Sequence, residues 1–154
     1  MIRICFVCHG NICRSPMAEF VMKDIVSRNN RAKDFYIESR ATHTDEICNG
    51  RGNPIYPNAK EQLEIHGIPF DGKRAQLLTK ADLDSFDMFI GMDSENMRFM
   101  PKILGNDSKV FSLMSFAGES RDVSDPWYTR DFDRAYNDIR KGCEALFARL
   151  SQND

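Results

Sequence analysis

The stretch Ile2-Arg3-Ile4-Cys5-Phe6-Val7-Cys8-His9-Gly10-Asn11-Ile12-Cys13-Arg14-Ser15-Pro16 decides how the rest of the chain is read. Residues 2–8 are almost continuously apolar and β-prone, and the run stops at His9-Gly10-Asn11, a turn signal. A short apolar run without polar alternation predicts a strand buried on both faces, as in a parallel sheet. Ser15-Pro16 then predicts a helix start, with Ser15 as N-cap and Pro16 at the first helical position. Met17, Phe20, Val21 and Ile25 recur at helical spacing as far as Arg28.

The alternation continues downstream. Residues 35–39 predict a second strand, and residues 41–57, rich in Gly, Asn, Pro and Thr, a long loop of the kind that carries function. Residues 57–66 predict a helix closed by Gly67. Thr79-Lys80-Ala81-Asp82 has a capping-box pattern. Residues 88–92 predict a third strand, Ser94 the cap of a helix ending near Met100 before Pro101, residues 109–113 a fourth strand, and residues 115–128 a second long loop. Phe132, Ala135, Tyr136, Ile139, Cys143, Leu146, Phe147 and Leu150 form one apolar stripe, the signature of a final amphipathic helix. The expected fold is one α/β domain over residues 1–154, a doubly wound four-stranded parallel sheet with helices on both faces. Ligands in such sheets bind beyond the carboxyl ends of the strands. The loops after Cys8, Ser39, Met92 and Leu113 should therefore meet on one edge.

Composition narrows the function. The 154 residues carry 21 Lys and Arg against 23 Asp and Glu, a net charge of −2, which argues against nucleic acid or an anionic membrane as partner. An apolar run of about 18 residues, the length of a membrane span, is missing, and Met1 to Cys5 does not read as a signal peptide. The five cysteines, an odd number, predict a reducing, cytoplasmic setting rather than a disulfide framework. There a cysteine is core, metal ligand or reactive thiol.

Cys8 and Arg14 stand either side of His9, Gly10, Asn11, Ile12 and Cys13, between a strand and the N-terminus of a helix. A short loop there turns several N–H groups toward one point, and the helix dipole adds partial positive charge. Gly10 and Asn11 tolerate the left-handed conformations such a nest requires. Arg14 adds a planar fork suited to two phosphate oxygens. The loop is built for a tetrahedral oxyanion, and the same field favours a thiolate at Cys8, with Ser15 placed to hydrogen-bond the sulfur. The missing acid for a leaving oxygen is best supplied by Asp125, which precedes Pro126, with Trp127 and Tyr128 as an apolar wall for an aryl group.

Val7-Cys8-His9-Gly10-Asn11-Ile12-Cys13-Arg14-Ser15-Pro16 together with Asp125-Pro126-Trp127-Tyr128 resembles the low-molecular-weight protein tyrosine phosphatases. Ser39, His66-Gly67-Ile68, Met92-Asp93 and the last helix extend the likeness over essentially the whole chain. The resemblance implies a two-step hydrolysis of aryl phosphates: Cys8 forms a phosphocysteine, Arg14 and the loop amides hold the equatorial oxygens, and Asp125 protonates the phenol and then activates water. It implies that Asn11 shapes the loop with Ser39 as hydrogen-bond partner and that Cys13 forms a reversible disulfide with Cys8; Asp93 reads as a supporting residue, either a helix cap or a hydrogen-bond partner that organises the loop. It implies no cofactor and no metal in catalysis, and a tyrosine-phosphorylated protein as substrate, an autophosphorylated kinase among the candidates. One departure is visible. Asp45-Glu46 stands near the place where many members carry an aromatic residue, which predicts a more open or more acidic cleft on that side.

Other readings compete. A thioredoxin-coupled arsenate reductase resembles the same fold but needs a second cysteine pair on a mobile segment, and this chain has no cysteine between Cys48 and Cys143. A non-enzymatic phosphate-binding module needs neither Cys8 nor Asp125. Cys5 and Cys8, three apart on a strand, point to opposite faces, so Cys5 reads as core rather than co-ligand; Cys143 also reads as core, and Cys48 has no assigned role. His66 reads as a partner of a helix end and His9 as a loop residue facing solvent. Asp82, Asp84 and Asp87 only loosely match calcium-ligand spacing.

Overall fold

A computed structural model describes residues 1–152. In chain order the elements are β1 (Ile2–Cys8), α1 (Arg14–Arg28), β2 (Phe35–Ala41), β3 (Ile47–Cys48), β4 (Arg51–Gly52), α2 (Pro57–Ile65), β5 (Met88–Gly91), α3 (Ser94–Leu104), β6 (Val110–Ser112), α4 (Leu113–Phe116), α5 (Pro126–Thr129) and α6 (Phe132–Ser151). The main sheet runs β2-β1-β5-β6 with every pairing parallel. β1 lies inside it, which is why its sequence is apolar on both faces: Ile4, Phe6 and Cys8 join the core beneath α1 and α6, whereas Cys5 and Val7 join Phe89, Met100 and Leu104 on the opposite face. The doubly wound reading holds, with Cys5 and Cys143 both fully buried in apolar surroundings.

Local expectations were met where the signal was local. Gly67 follows the end of α2 at φ 68°, and Thr79 and Asp82 form the expected capping box. Asp82 also lies near Arg40, and Asp87 pairs with Arg3, so the loose calcium-like spacing is taken up by other partners.

Five expectations need correction. Helix α1 starts at Arg14 behind Cys13, so Ser15 is not its N-cap. Helix α3 is capped by Asp93 rather than Ser94, through a reciprocal box with Asn96. It also runs through Pro101 to Leu104, because Met100 and Leu104 are completely buried and their packing overrides the lost backbone hydrogen bond. The loop of residues 41–57 holds the short antiparallel β3–β4 ribbon, and the second long loop is interrupted by α4 and α5. Each is a single short turn or ribbon without the periodicity that makes longer elements legible.

Candidate active site

β1 carries Cys8 to the carboxyl edge of the sheet, and the chain turns back through residues 9–13 into α1. Asn11 makes this turn at φ 59°, a conformation few other side chains accept. The Ser15 hydroxyl is committed to the loop instead of to the helix end: its oxygen lies 2.9 Å from Cys8 Sγ and accepts from Asn11 Nδ2 at 2.8 Å. Pro16 lies in the first turn, where backbone N–H groups have no helical partner, so it costs nothing there.

The buried hydrogen-bond chain behind the sulfur has a direction. Glu19 Oε1 accepts the Ser39 hydroxyl proton at 2.6 Å, so Ser39 Oγ can only accept from Asn11 Nδ2, at 2.9 Å. The Gln76 N–H donates to Asn11 Oδ1 at 3.0 Å and fixes the amide's orientation. The second Nδ2 proton goes to Ser15, which leaves the Ser15 proton for Cys8 Sγ. The Asn11 N–H also donates to Sγ, at 3.3 Å. Glu19 itself is buried and balanced by Lys23 at 2.7 Å and by the buried Lys73 at 3.7 Å. Burial holds Lys73 below the usual lysine range, against the attraction of Glu19.

Arg14 is equally committed. Its Nη2 donates to Asp93 Oδ2 at 2.7 Å and lies 3.5 Å from Asp125 Oδ2; its Nη1 donates to the Val123 carbonyl at 3.3 Å. Burial opposes the charge, but Cys8, Asp93 and Asp125 outweigh it and raise the guanidinium above its ordinary value. Asp93 thus does two jobs, capping α3 and aiming Arg14.

Asp125 arrives from the far end of the chain. One carboxylate oxygen caps α5 by accepting the Trp127 N–H at 3.0 Å, and the other faces Arg14. The segment before it is pinned by α6: Arg121 makes two bonds to Asp138, at 2.8 and 2.9 Å, and the Ser124 N–H donates to the same carboxylate at 2.9 Å. Burial alone would raise Asp138, but Arg121 and the Ser124 N–H more than compensate and hold its carboxyl below the usual range. The Val123 N–H donates to the Met92 carbonyl at 2.8 Å, tying this loop to the end of β5.

The cleft is therefore lined by Cys8 to Arg14, Asp93, Asp125, Trp127 and Tyr128, together with Asp45, Glu46 and Glu95. Ser39 lies beneath it, fully buried. Trp127 is 51% exposed and meets the edge of Tyr56 at 4.6 Å between centroids, whereas Tyr128 is 88% exposed. Cys13 is buried, which pushes its thiol above the ordinary cysteine value, reinforced by the neighbouring Cys8 sulfur. His9 does not simply face solvent. Its Nδ1 lies 2.7 Å from Glu95 and its Nε2 2.7 Å from Asp45, contacts that both require a proton on the ring. Burial opposes that charge, and the two carboxylates override it and raise the ring's pKa. Asp45 and Glu46 occupy the cleft rim as expected.

Sequence reasoning missed Glu19, Lys73, Tyr56, Arg121 and Asp138. The Glu19–Lys23 spacing of four was a visible signal of a helical ion pair. The Arg121–Asp138 pair left no local trace.

A thiol and an arginine facing one amide-lined loop at the carboxyl edge of a parallel sheet, with a carboxylate brought opposite, define a cysteine-dependent phosphate-ester hydrolase. The family model for low molecular weight phosphotyrosine protein phosphatase matches residues 3–154, and the chain belongs to that family of protein-tyrosine phosphatases. It is 36% identical over 156 residues to the low molecular weight protein-tyrosine-phosphatase YfkJ of Bacillus subtilis, covering 99% of this chain and 97% of that protein. The crystal structure of YfkJ superposes with a TM-score of 0.92 at 35% identity, over 100% of this chain and 97% of the other. The low molecular weight protein tyrosine phosphatase from Streptococcus pyogenes gives a TM-score of 0.85 at 43% identity, over 97% and 93% of the two chains.

Proposed function

We propose that this chain hydrolyses phosphotyrosine in proteins through a phosphocysteine intermediate, with Cys8 as nucleophile, Arg14 and the amides of residues 9–15 as the oxyanion cradle, and Asp125 as general acid and then base. The observation that supports this most strongly is the meeting of three groups in one cleft. Cys8 Sγ is backed by donors from Ser15 and Asn11, and Arg14 Nη2 lies 3.5 Å from the Asp125 carboxylate. In the first step the sulfur attacks phosphorus, the P–O bond to the phenol breaks, and the Asp125 proton goes to the departing oxygen. In the second step Asp125 takes a proton from water as its oxygen attacks phosphorus, and the S–P bond returns its electron pair to Cys8. Trp127, propped by Tyr56, serves as the wall for the aryl ring. Asp93 and Ser39 serve as positioning residues, for Arg14 and Asn11 respectively. An autophosphorylated tyrosine kinase fits as the protein substrate, and a reducing cytoplasm suits five free cysteines.

The test is hydrolysis of p-nitrophenyl phosphate with vanadate inhibition. Cys8→Ser should show no turnover, and Asp125→Ala should lose about 10²–10⁴ in kcat with phosphate affinity retained. A wild-type protein inert toward aryl phosphates but able to reduce arsenate with thioredoxin would overturn the assignment. Cys143, the next cysteine after Cys48, is buried in α6, which disfavours that outcome. Cys13 is assigned as redox partner of Cys8: peroxide inactivation should be reversed by dithiothreitol in the wild type and less completely in Cys13→Ala. Equal recovery in both proteins would remove that role.

A further inference from the structure

Beside the phosphate loop, three elements bring a second constellation together. His9 comes from the loop after β1, His43 from the segment after β2, and Glu95 from the first turn of α3. The two imidazoles stack with centroids 4.1 Å apart, and one ligand atom from each of His9, His43 and Glu95 lies within 4.8 Å of the others. Neither ring is loose. Asp45 Oδ2 sits 2.7 Å from His9 Nε2, which leaves Nδ1 toward Glu95 Oε1, also at 2.7 Å. Thr42 Oγ1 sits 2.7 Å from His43 Nδ1; with the proton on Nδ1 and the hydroxyl accepting it, Nε2 is the nitrogen left to ligate. A carboxylate or hydroxyl on the far nitrogen is the usual means of fixing the tautomer and orientation of a metal-binding histidine. Both imidazoles have one.

We propose that His9, His43 and Glu95 form a binding site for a late first-row divalent cation of the zinc type, on the rim of the catalytic cleft, with Asp45 and Thr42 orienting the two imidazoles. Two imidazoles and one carboxylate, with a fourth position left to water, are a donor set that zinc takes readily. Bonds of about 2.0–2.1 Å in a tetrahedral arrangement hold ligand atoms about 3.3 Å apart. The widest pair therefore closes by no more than about 1.5 Å, the 2.7 Å His9–Glu95 pair opens by about 0.6 Å, and the two stacked rings tilt so that their nitrogens face one point. Glu95, whose side chain is 40% exposed, has room to follow, and His9 turns while Nε2 stays on Asp45. On binding, the ion replaces the proton that His9 now shares with Glu95, and that proton leaves to solvent. His9 gives its backbone amide to the phosphate cradle and its side chain to this site, which adds no step to hydrolysis. It would link the phosphate loop, the β2 loop and α3 through one ion.

The Cys8 thiol, one residue from His9, is a competing soft ligand for such an ion, and the experiment separates the two. The full-length protein is titrated with Co²⁺, whose visible absorption reports coordination, and with Zn²⁺ in competition and by equilibrium dialysis. One equivalent should bind. His43→Ala and Glu95→Gln should each weaken binding by at least about tenfold, and Asp45→Asn by about tenfold. Cys8→Ser should bind the ion unchanged and show no loss of sulfur-to-cobalt charge transfer, since none should be present. Circular dichroism confirms that each variant is folded, and Glu95→Gln, which preserves shape, stands in if His43→Ala is not. Absence of stoichiometric binding by the wild type would overturn the site. So would binding that survives in folded His43→Ala and Glu95→Gln but disappears in Cys8→Ser.

Discussion

The phosphate loop and the acid loop meet across one cleft but are built in opposite ways. At the sulfur the first is wired by near neighbours in sequence, because Asn11 and Ser15 both donate toward Cys8 Sγ, while Gln76, Ser39 and Asp93 brace Asn11 and Arg14 from elsewhere in the chain. The second is held from a distance. Asp125 is aimed by its own cap at Trp127, but its loop is fixed by Arg121 and Ser124 on Asp138 of α6, and by Val123 on the end of β5. The donors around the sulfur come together when β1 and α1 meet, and the orientation of Asn11 and Arg14 is completed by Gln76, Ser39 and Asp93. The acid loop depends on the packing of α6 and the end of β5, and in the proposed mechanism its Asp125 serves first as acid and then as base.

Substitutions can break this contrast, and the largest effect is expected at Arg14. Arg14→Lys keeps the charge but loses the fork that serves Asp93, Val123 and the substrate together. A fall of about 10²–10³ in kcat for p-nitrophenyl phosphate is expected, the size of losing a preorganised donor; a change below about tenfold would show that the cradle tolerates a point charge. Next is Glu19→Ala. It removes the charge partner of the buried Lys73 and leaves the Ser39 proton without its acceptor, which loosens the Ser39 support of Asn11 in the chain that ends on Cys8. Denaturant unfolding should show a loss of about 3–5 kcal/mol, with activity falling in the protein that remains folded. If activity is retained per folded molecule, the Glu19–Ser39 support of Asn11 has no bearing on the sulfur.

The same contrast explains what the sequence revealed. β1, the loop and the start of α1 were legible because an apolar run, turn-forming residues and a helical stripe sit within 30 residues of one another. The meeting of Asp93 and Asp125 with that loop followed from parallel topology, since strand ends converge. Ser15 was misread as a cap because a serine before proline is a good cap in isolation; the sulfur and Asn11 compete for its hydroxyl, and they come together only after folding. Asp138 was invisible for a related reason. It lies on α6 among charged neighbours, and only the packing of the loop of residues 119–124 turns it inward.

Asp138 supplies the third prediction, on the remote side of the contrast. Its folded-state pKa lies below that of the unfolded chain, so its stabilisation is complete above the unfolded value and is lost as pH falls through the lower folded value. Asp138→Asn should cost about 1–3 kcal/mol at neutral pH, the range for unsatisfied charge-assisted bonds, and should flatten the acid limb of stability against pH. It should also lower kcat more than it raises KM, because the loop it frees carries Asp125. Should the variant keep the wild-type acid limb, the Arg121 bridge is not what ties that loop down.

The smallest expected effect lies where the two loops touch through aromatic side chains. Tyr56 belongs to neither loop, yet its N–H donates to the Ile12 carbonyl of the phosphate loop at 2.8 Å while its ring supports Trp127 beside the acid. The same ring stacks on Phe132 at the start of α6, at 5.9 Å. Tyr56→Leu keeps the backbone bond and removes only the aromatic support, worth about 0.5–1.5 kcal/mol per ring pair. Because Trp127 is half exposed, the loss should fall at the low end of that range and should appear as a KM increase of about two- to fivefold toward aryl phosphates. kcat should stay within about twofold, since Cys8, Arg14 and Asp125 keep their contacts. Small alkyl phosphates have no ring for Trp127 to face, so their kinetics should not respond. A matching loss for alkyl and aryl substrates would mean that the Tyr56 ring holds the phosphate loop itself, and the division between a cradle braced without that ring and an acid loop propped by it would no longer stand.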